Sequence, residues 1–117
     1  MKKIFFASLI ALFCAACSTH TQYHWGSYED VLFESSTDTN GLSSKEQIEK
    51  LTRDVEKAKE LKKLPAPGIH AHLGMIFASE GMTEQARTHF ILEKTLYPDS
   101  AIFLDRFLQP EPEGENK

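Results

Sequence analysis

The chain has 117 residues, a mass of 13.3 kDa and a formal net charge of −4; that length fits one small domain and not two. Hydrophobic residues at 41% and charged residues at 26% allow a modest globular core and exclude a multi-span membrane protein. The acidic balance excludes nucleic acid as a partner and gives the chain no net attraction to anionic lipid.

Lys2 and Lys3 precede an apolar run, Ile4 to Ala16. The run is shorter than the roughly 20 residues that span a bilayer, and it has the pattern of a signal peptide over residues 1–16. Cys14 and Cys17 are the only cysteines. Their C-x-x-C spacing would suggest redox chemistry in a cytosolic chain, but no strand or helix start follows them. The stretch Cys14-Ala15-Ala16-Cys17 resembles a bacterial lipoprotein signal. Small residues fit the signal peptidase cleft, and the Cys17 thiol takes the diacylglycerol before cleavage. Cys14 departs from the Leu usual at its position. Cleavage before Cys17 removes 16 residues, leaves 101, and moves the net charge from −4 to −6 by taking away Lys2 and Lys3. Three acyl chains on Cys17 exceed the two signals needed for stable anchoring, so the bilayer is the first expected partner. Ser18 stands where Asp favours inner-membrane retention in similar lipoproteins. That implies anchoring in the outer membrane, on its periplasmic face.

Residues 17–43 read as a lipidated tether with an aromatic segment and a short helix. Tyr23, Trp25 and Tyr28 lie close together, and Ser27 is placed to cap a helix with Glu29 and Asp30 in its first turn. Val31, Leu32 and Phe33 give that helix an apolar side. Residues 35–43 are rich in Ser, Thr, Asp, Asn and Gly and read as a loop. Ser43 with Glu46, and Ser44 with Gln47, are overlapping capping-box candidates. Ile48, Leu51, Val55, Ala58 and Leu61 then recur at helical spacing on one face. Lys57, Lys59, Lys62 and Lys63 complement the negative end of that helix and read as a solvated helix end. Leu64-Pro65-Ala66-Pro67-Gly68 stops the helix and turns the chain.

A second long helix fits Ile69 to Glu80, with Ile69, Leu73, Ile76 and Phe77 on one face and Gly81 at its end. Thr83 is positioned to cap a third, in which Ala86, Phe90 and Tyr97 share a face before Pro98. Asp99 or Ser100 caps a fourth, Ala101 to Leu108, carrying Phe103, Leu104 and Phe107. Residues 109–117 hold two prolines and three glutamates and read as a disordered acidic tail. No segment alternates with period two for long, so the predicted fold is all-α, with a helical domain over 44–108.

Residues 67–100 resemble a single tetratricopeptide repeat, a helix-turn-helix unit of 34 residues. Leu73-Gly74, Phe77, Ala86, Phe90 and Pro98 match its marked positions, and Gly81 falls at the turn. Gly74 and Ala86 let two helices approach, and Phe77 and Phe90 fill the space beside them. His70 replaces the usual tryptophan, and Glu93 occupies a usually small position. One repeat cannot bury its own face, so flanking helices or a partner must cover it.

A longer pattern comprises Tyr23-His24-Trp25-Gly26-Ser27-Tyr28-Glu29, Pro67-Gly68-Ile69, Leu96-Tyr97-Pro98-Asp99-Ser100 and Phe103-Leu104-Asp105-Arg106. Together these resemble the bacterial lipoprotein family of domain of unknown function four-eight-one-zero. The resemblance implies work in an envelope assembly, beside another lipoprotein similar to the curli-export pore. It implies no catalytic residue, ligand or cofactor.

Tyr23, Trp25 and Tyr28 have two readings: a plug folded onto the helical core, or a partner-binding hot spot. The small core favours the plug, with Trp25 mostly buried. His70 and His72 point to different sides of a helix, and no H-E-x-x-H is present, so no metal site is expected. Glu93 is placed to accept a hydrogen bond from Tyr97 or His89, and Asp105-Arg106 reads as a helix-end pair. No nucleophile with a base, phosphate-binding loop or paired carboxylate is evident, which predicts a non-enzymatic protein. Two functions fit: an interaction adaptor in an envelope assembly or export complex, or a structural accessory lipoprotein without a defined ligand.

Overall fold

The computed structural model describes residues 21–36 and 41–109. The signal peptide, Cys17 and the tail beyond Gln109 lie outside the described residues. Among the described residues five α-helices dominate: α1 (Tyr28–Ser35), α2 (Ser44–Glu60), α3 (Ile69–Ser79), α4 (Thr83–Leu96) and α5 (Ala101–Leu108). A 3₁₀ turn, Pro98–Ser100, leads into α5. The all-α expectation holds at the level of class. The sequence pattern missed two short strands, β1 (Tyr23–His24) and β2 (Leu64–Pro65), which pair in parallel with Tyr23 opposite Leu64. Two residues are too few to show an alternating pattern.

Helix α2 starts as predicted, at the first of the two capping candidates. The Ser43 hydroxyl accepts from the Glu46 N–H, and the Glu46 carboxylate accepts from the Ser43 N–H at 3.0 Å. Gln47 does other work: its amide donates to the Leu42 carbonyl at 2.8 Å, and its oxygen meets His72 Nε2 at 3.0 Å. The far end closes with the Lys63 N–H bonding the Ala58 carbonyl and the Lys62 N–H bonding the Lys59 carbonyl, the double bond pattern of a Schellman cap. Lys62 holds the left-handed position of that cap at φ 53°, where glycine is usual. Leu61 falls beyond the helix and is exposed, against its expected place on the apolar face.

Helix α3 is apolar around most of its circumference and packs on two sides. Ile69, Leu73 and Ile76 join Tyr28, Val31, Leu51 and Ala66 in one core. Ala86, Phe90 and Leu104 form a second cluster, with Phe77 packed against both. Helices α3 and α4 run antiparallel: His70 meets Glu93 at one end and Gly74 meets Phe90 further along. A Cβ on Gly74 would lie 2.5 Å from Phe90 Cε1 and 3.1 Å from the Ala86 carbonyl oxygen, so the close approach requires glycine.

Several helix starts differ from expectation. Thr83 is the first residue of α4 and caps nothing; Met82 precedes the helix without a side-chain bond. Ser100 precedes α5, but its hydroxyl donates to the Tyr97 carbonyl. In α1 only Tyr28 and Val31 are buried, while Leu32 and Phe33 are exposed. In α5 Leu104 is buried, whereas Phe103 and Phe107, expected beside it, are exposed. An eight-residue helix packed on one neighbour buries only a narrow stripe.

Gly74→Ala should lower stability in a denaturant melt, because overpacking costs ~1–3 kcal/mol and outweighs the ~1 kcal/mol of helix propensity gained. An unchanged midpoint would contradict the close α3–α4 contact. Lys62→Gly should act in the other direction and raise stability by up to ~1 kcal/mol, by relieving the left-handed backbone.

Candidate functional site

The polar residues that matter are carboxylates on otherwise apolar stripes. Helix α3 begins at Gly68 with no side-chain cap of its own. Glu93, one helix later and almost fully buried, supplies the cap from outside. Its carboxylate accepts the N–H groups of Gly68 at 2.6 Å, His70 at 3.1 Å and Ala71 at 3.3 Å. The remaining first-turn donor, the Ile69 N–H, bonds the Ala66 carbonyl. The orphan donors at this end are thereby satisfied, and the negative charge sits at the positive end of the helix dipole. Burial pushes the Glu93 carboxyl above its usual range, and the three N–H donors pull against that shift. The expected partners of Glu93, Tyr97 and His89, are not the ones it takes.

The Tyr97 hydroxyl donates instead to the Pro65 carbonyl, and burial pushes its phenol up to about 12, with Tyr23 and Glu93 adding to the shift. Tyr97 stands at the end of α4 and faces Tyr23 with ring centroids 6.1 Å apart. Asp54 makes a second clasp. It lies three residues after Leu51, on the buried stripe of α2. Its carboxylate accepts both the N–H and the hydroxyl of Ser27, at 2.8 and 2.7 Å. Ser27 therefore does not cap α1 with its side chain, contrary to expectation. Gly26 beside it has φ 52°, and a Cβ there would collide with the Asp54 carboxylate.

These clasps divide the three aromatic candidates. Tyr28 is buried in the first core, with its ring edge toward His72 at 6.1 Å. Burial, then the charge of Glu93, pushes its phenol up. Tyr23 is half-buried against Tyr97. Trp25 is 41% exposed, which corrects the expectation that it would be mostly buried. The segment plugs the core, but the tyrosines form the plug. Gly26 and the Asp54 clasp turn the backbone at the residue after Trp25 and leave the indole outside.

His70 and His89 join α3 to α4. Their Nδ1 atoms lie 2.9 Å apart, so one must donate and the other accept, and their rings stack at 5.2 Å. Phe77 stacks on the other side of His89 at 5.3 Å. Burial lowers all three of His70, His72 and His89, His70 to about 4 with a further push from His89. Among the described residues no group of three or more His, Cys, Asp or Glu could hold a metal ion. Both buried carboxylates are committed to structural donors.

The remaining feature is an uncovered apolar face on α5. Ile102 is 83% exposed, Phe103 51% and Phe107 47%. Phe107 stacks on buried Phe90 at 5.2 Å, and Phe103 meets Phe107 edge-on at 5.2 Å. The ion pair between Lys94 and Asp105, 2.5 Å, ties α5 to α4. Asp105, expected to pair with neighbouring turns at the helix end, thus pairs across to α4.

A family model described as Domain of unknown function (DUF4810) matches residues 22–107. The chain belongs to this family. The match begins beside β1 and ends within α5, so it spans both clasps and both cores. Comparison with curated proteins finds no match, and neither does comparison with solved structures.

The buried groups make stability depend on pH. A histidine whose folded pKa is depressed stabilises the fold above its unfolded value of 6.5, and that stability is lost as the pH falls toward the folded value. Three histidines act in this direction. Glu93, raised above 4.5, contributes fully below 4.5 and loses its contribution as the pH rises through its folded value. The melting temperature should therefore fall from about pH 7 to about pH 5, less steeply in His70→Gln and more steeply in Glu93→Gln. A flat profile in Glu93→Gln, where the opposing carboxyl is gone, would contradict the burial of the histidines.

Proposed function

We propose that this protein is a non-enzymatic adaptor, anchored through acylated Cys17 in the outer membrane, that binds another protein of an envelope assembly or export complex. The reading rests above all on the bare apolar face of α5. Phe103 and Phe107 meet edge-on and stay exposed on the outside of α5, Phe107 stacks on buried Phe90, and Ile102 on the same helix is exposed as well. Clustered exposed aromatics of this kind mark protein interaction sites. The N-terminal segment covers the opposite side of α3, through Tyr28 and Val31, and leaves α5 bare. A structural accessory without a ligand would have used that segment to close the exposed face.

The likeness to a tetratricopeptide repeat supports the same reading. The hairpin α3–α4 brings Gly74 against Phe90 and Ala86, the close contact that such a unit uses, and α5 follows it in the chain. The anchor is proposed from the lipoprotein-like stretch Cys14-Ala15-Ala16-Cys17; among the described residues no helix is long and apolar enough to cross a membrane. The resemblance points to a lipoprotein similar to the curli-export pore as the partner to try first.

The test is co-purification from detergent-solubilised membranes. Phe103→Glu with Phe107→Glu should abolish recovery of the partner while leaving the fold intact by circular dichroism. Cys17→Ser should release the protein from membranes or leave it uncleaved. Unchanged partner recovery in the double variant would overturn the adaptor reading, and an unmodified mature Cys17 by mass spectrometry would overturn the anchor.

A further inference from the structure

The lysines at the end of α2 read, in sequence, as a solvated helix end. The β1–β2 pairing changes their surroundings. The strands are parallel, and the Leu64 N–H bonds the Gln22 carbonyl at 3.2 Å. Gln22 is thus fixed beside Lys63 and Leu64. Cys17 precedes Gln22 by five residues, a span of at most ~18 Å when fully extended. Because the pairing is parallel, the tether enters this pairing from the side on which Leu61 and Lys62 leave α2.

Lys59 and Lys62 are exposed, and Lys63 is half-buried. None of the three makes an ion pair among the described residues, whereas Lys57 is neutralised by Glu60 at 2.8 Å. Leu61 stands between them, 47% exposed. Lys62 holds a left-handed backbone position that glycine would fill with less strain. A lysine there keeps a third positive charge at the helix end.

We propose that this end of α2, formed by Lys59, Leu61, Lys62 and Lys63, is a docking surface for the anionic phospholipid headgroups of the membrane that holds the anchor. The inference rests on lipidation of Cys17 and adds an orientation to it. A bilayer bearing the acylated Cys17 lies within a short tether of three free ammonium groups. Basic side chains held this close to an anionic surface are attracted to it over about a Debye length. The chain is net negative, but Glu60, the carboxylate between Lys59 and Leu61 in sequence, is already paired with Lys57. The lysine end faces the bilayer, and Leu61 sits at headgroup level. Helix α2 then stands up from the membrane.

The experiment uses the acylated mature protein purified from membranes, with the Cys17 adduct read by mass spectrometry. The protein is reconstituted into vesicles of phosphatidylethanolamine with phosphatidylglycerol, and into vesicles of phosphatidylcholine alone. A membrane-impermeant amine-reactive ester then labels the lysines. Lys45, ~21 Å up the same helix from Lys59, is the internal control. Labelling of Lys59, Lys62 and Lys63 relative to Lys45 should be several-fold lower in the phosphatidylglycerol vesicles, and high salt should abolish the difference. Equal relative labelling in both vesicle types, with Cys17 acylated, would overturn the docking surface and leave the anchor standing. Protection equal in both lipids and indifferent to salt would also overturn it, since a contact with neutral lipid or between copies needs no anionic headgroup. An unmodified Cys17 would overturn the anchor and this orientation together.

Discussion

The carboxylate of Glu93 holds the structure together at the point where its two halves meet. It lies on α4, it is buried, and it takes the N–H groups of Gly68, His70 and Ala71 at the start of α3. An uncapped helix start in this interior would leave several donors without partners, each costing about 1–3 kcal/mol. A buried carboxylate without donors would be costlier still. Each group makes the other tolerable. The pairing fixes where α3 begins and the register of α4 against it. It also holds the turn at Pro67-Gly68 that carries β2 toward β1.

From that junction the N-terminal segment is secured at three places. Parallel pairing of β1 with β2 holds Tyr23 and His24, and Asp54 holds Ser27 through its N–H and hydroxyl. Tyr97 locks β2 from the other side through the Pro65 carbonyl. Tyr28 and Val31 can then enter the first core. The same constraints decide what remains outside. Trp25 stays on the surface because the chain turns immediately after it. The apolar face of α5 stays bare because the segment that could have covered it is committed to the opposite side of α3. The proposed function rests on the bare face of α5, although the N-terminal segment also leaves Trp25, Leu32 and Phe33 on the surface.

The family match spans the whole of this clasped unit, residues 22–107, and the resemblance stated from sequence falls on the same segments. Tyr23 to Glu29, Pro67-Gly68-Ile69 and Leu96 to Ser100 are far apart in the chain. Each includes a residue of the junction: Tyr23 and Ser27, Gly68, and Tyr97. The segments that carried the resemblance are therefore largely those that close the N-terminal segment onto the α3–α4 hairpin. The outer surface of α5 has its own part of that pattern, in Phe103 and the Asp105 that pairs with Lys94.

The sequence by itself determined the helices, because helical periodicity and capping are local. The capping box at Ser43, the stripe of Leu51 and Ala58, and the stop at Gly81 all depend on residues a few positions apart. Through the resemblance to a tetratricopeptide repeat it also marked Gly74, Phe77, Ala86 and Phe90 as residues that meet between two helices, and the structure adds that Phe90 lies directly on Gly74. The tertiary structure alone decided the partners of the polar residues. Glu93 and Asp54 lie on buried stripes, and that signal could have marked both as carboxylates needing donors. It could not say which donors, because the groups that answer them are 25 and 27 residues away. The strand pair, the exposure of Trp25 and the position of the lysines beside the tether follow from those long-range bonds. No local periodicity encodes them.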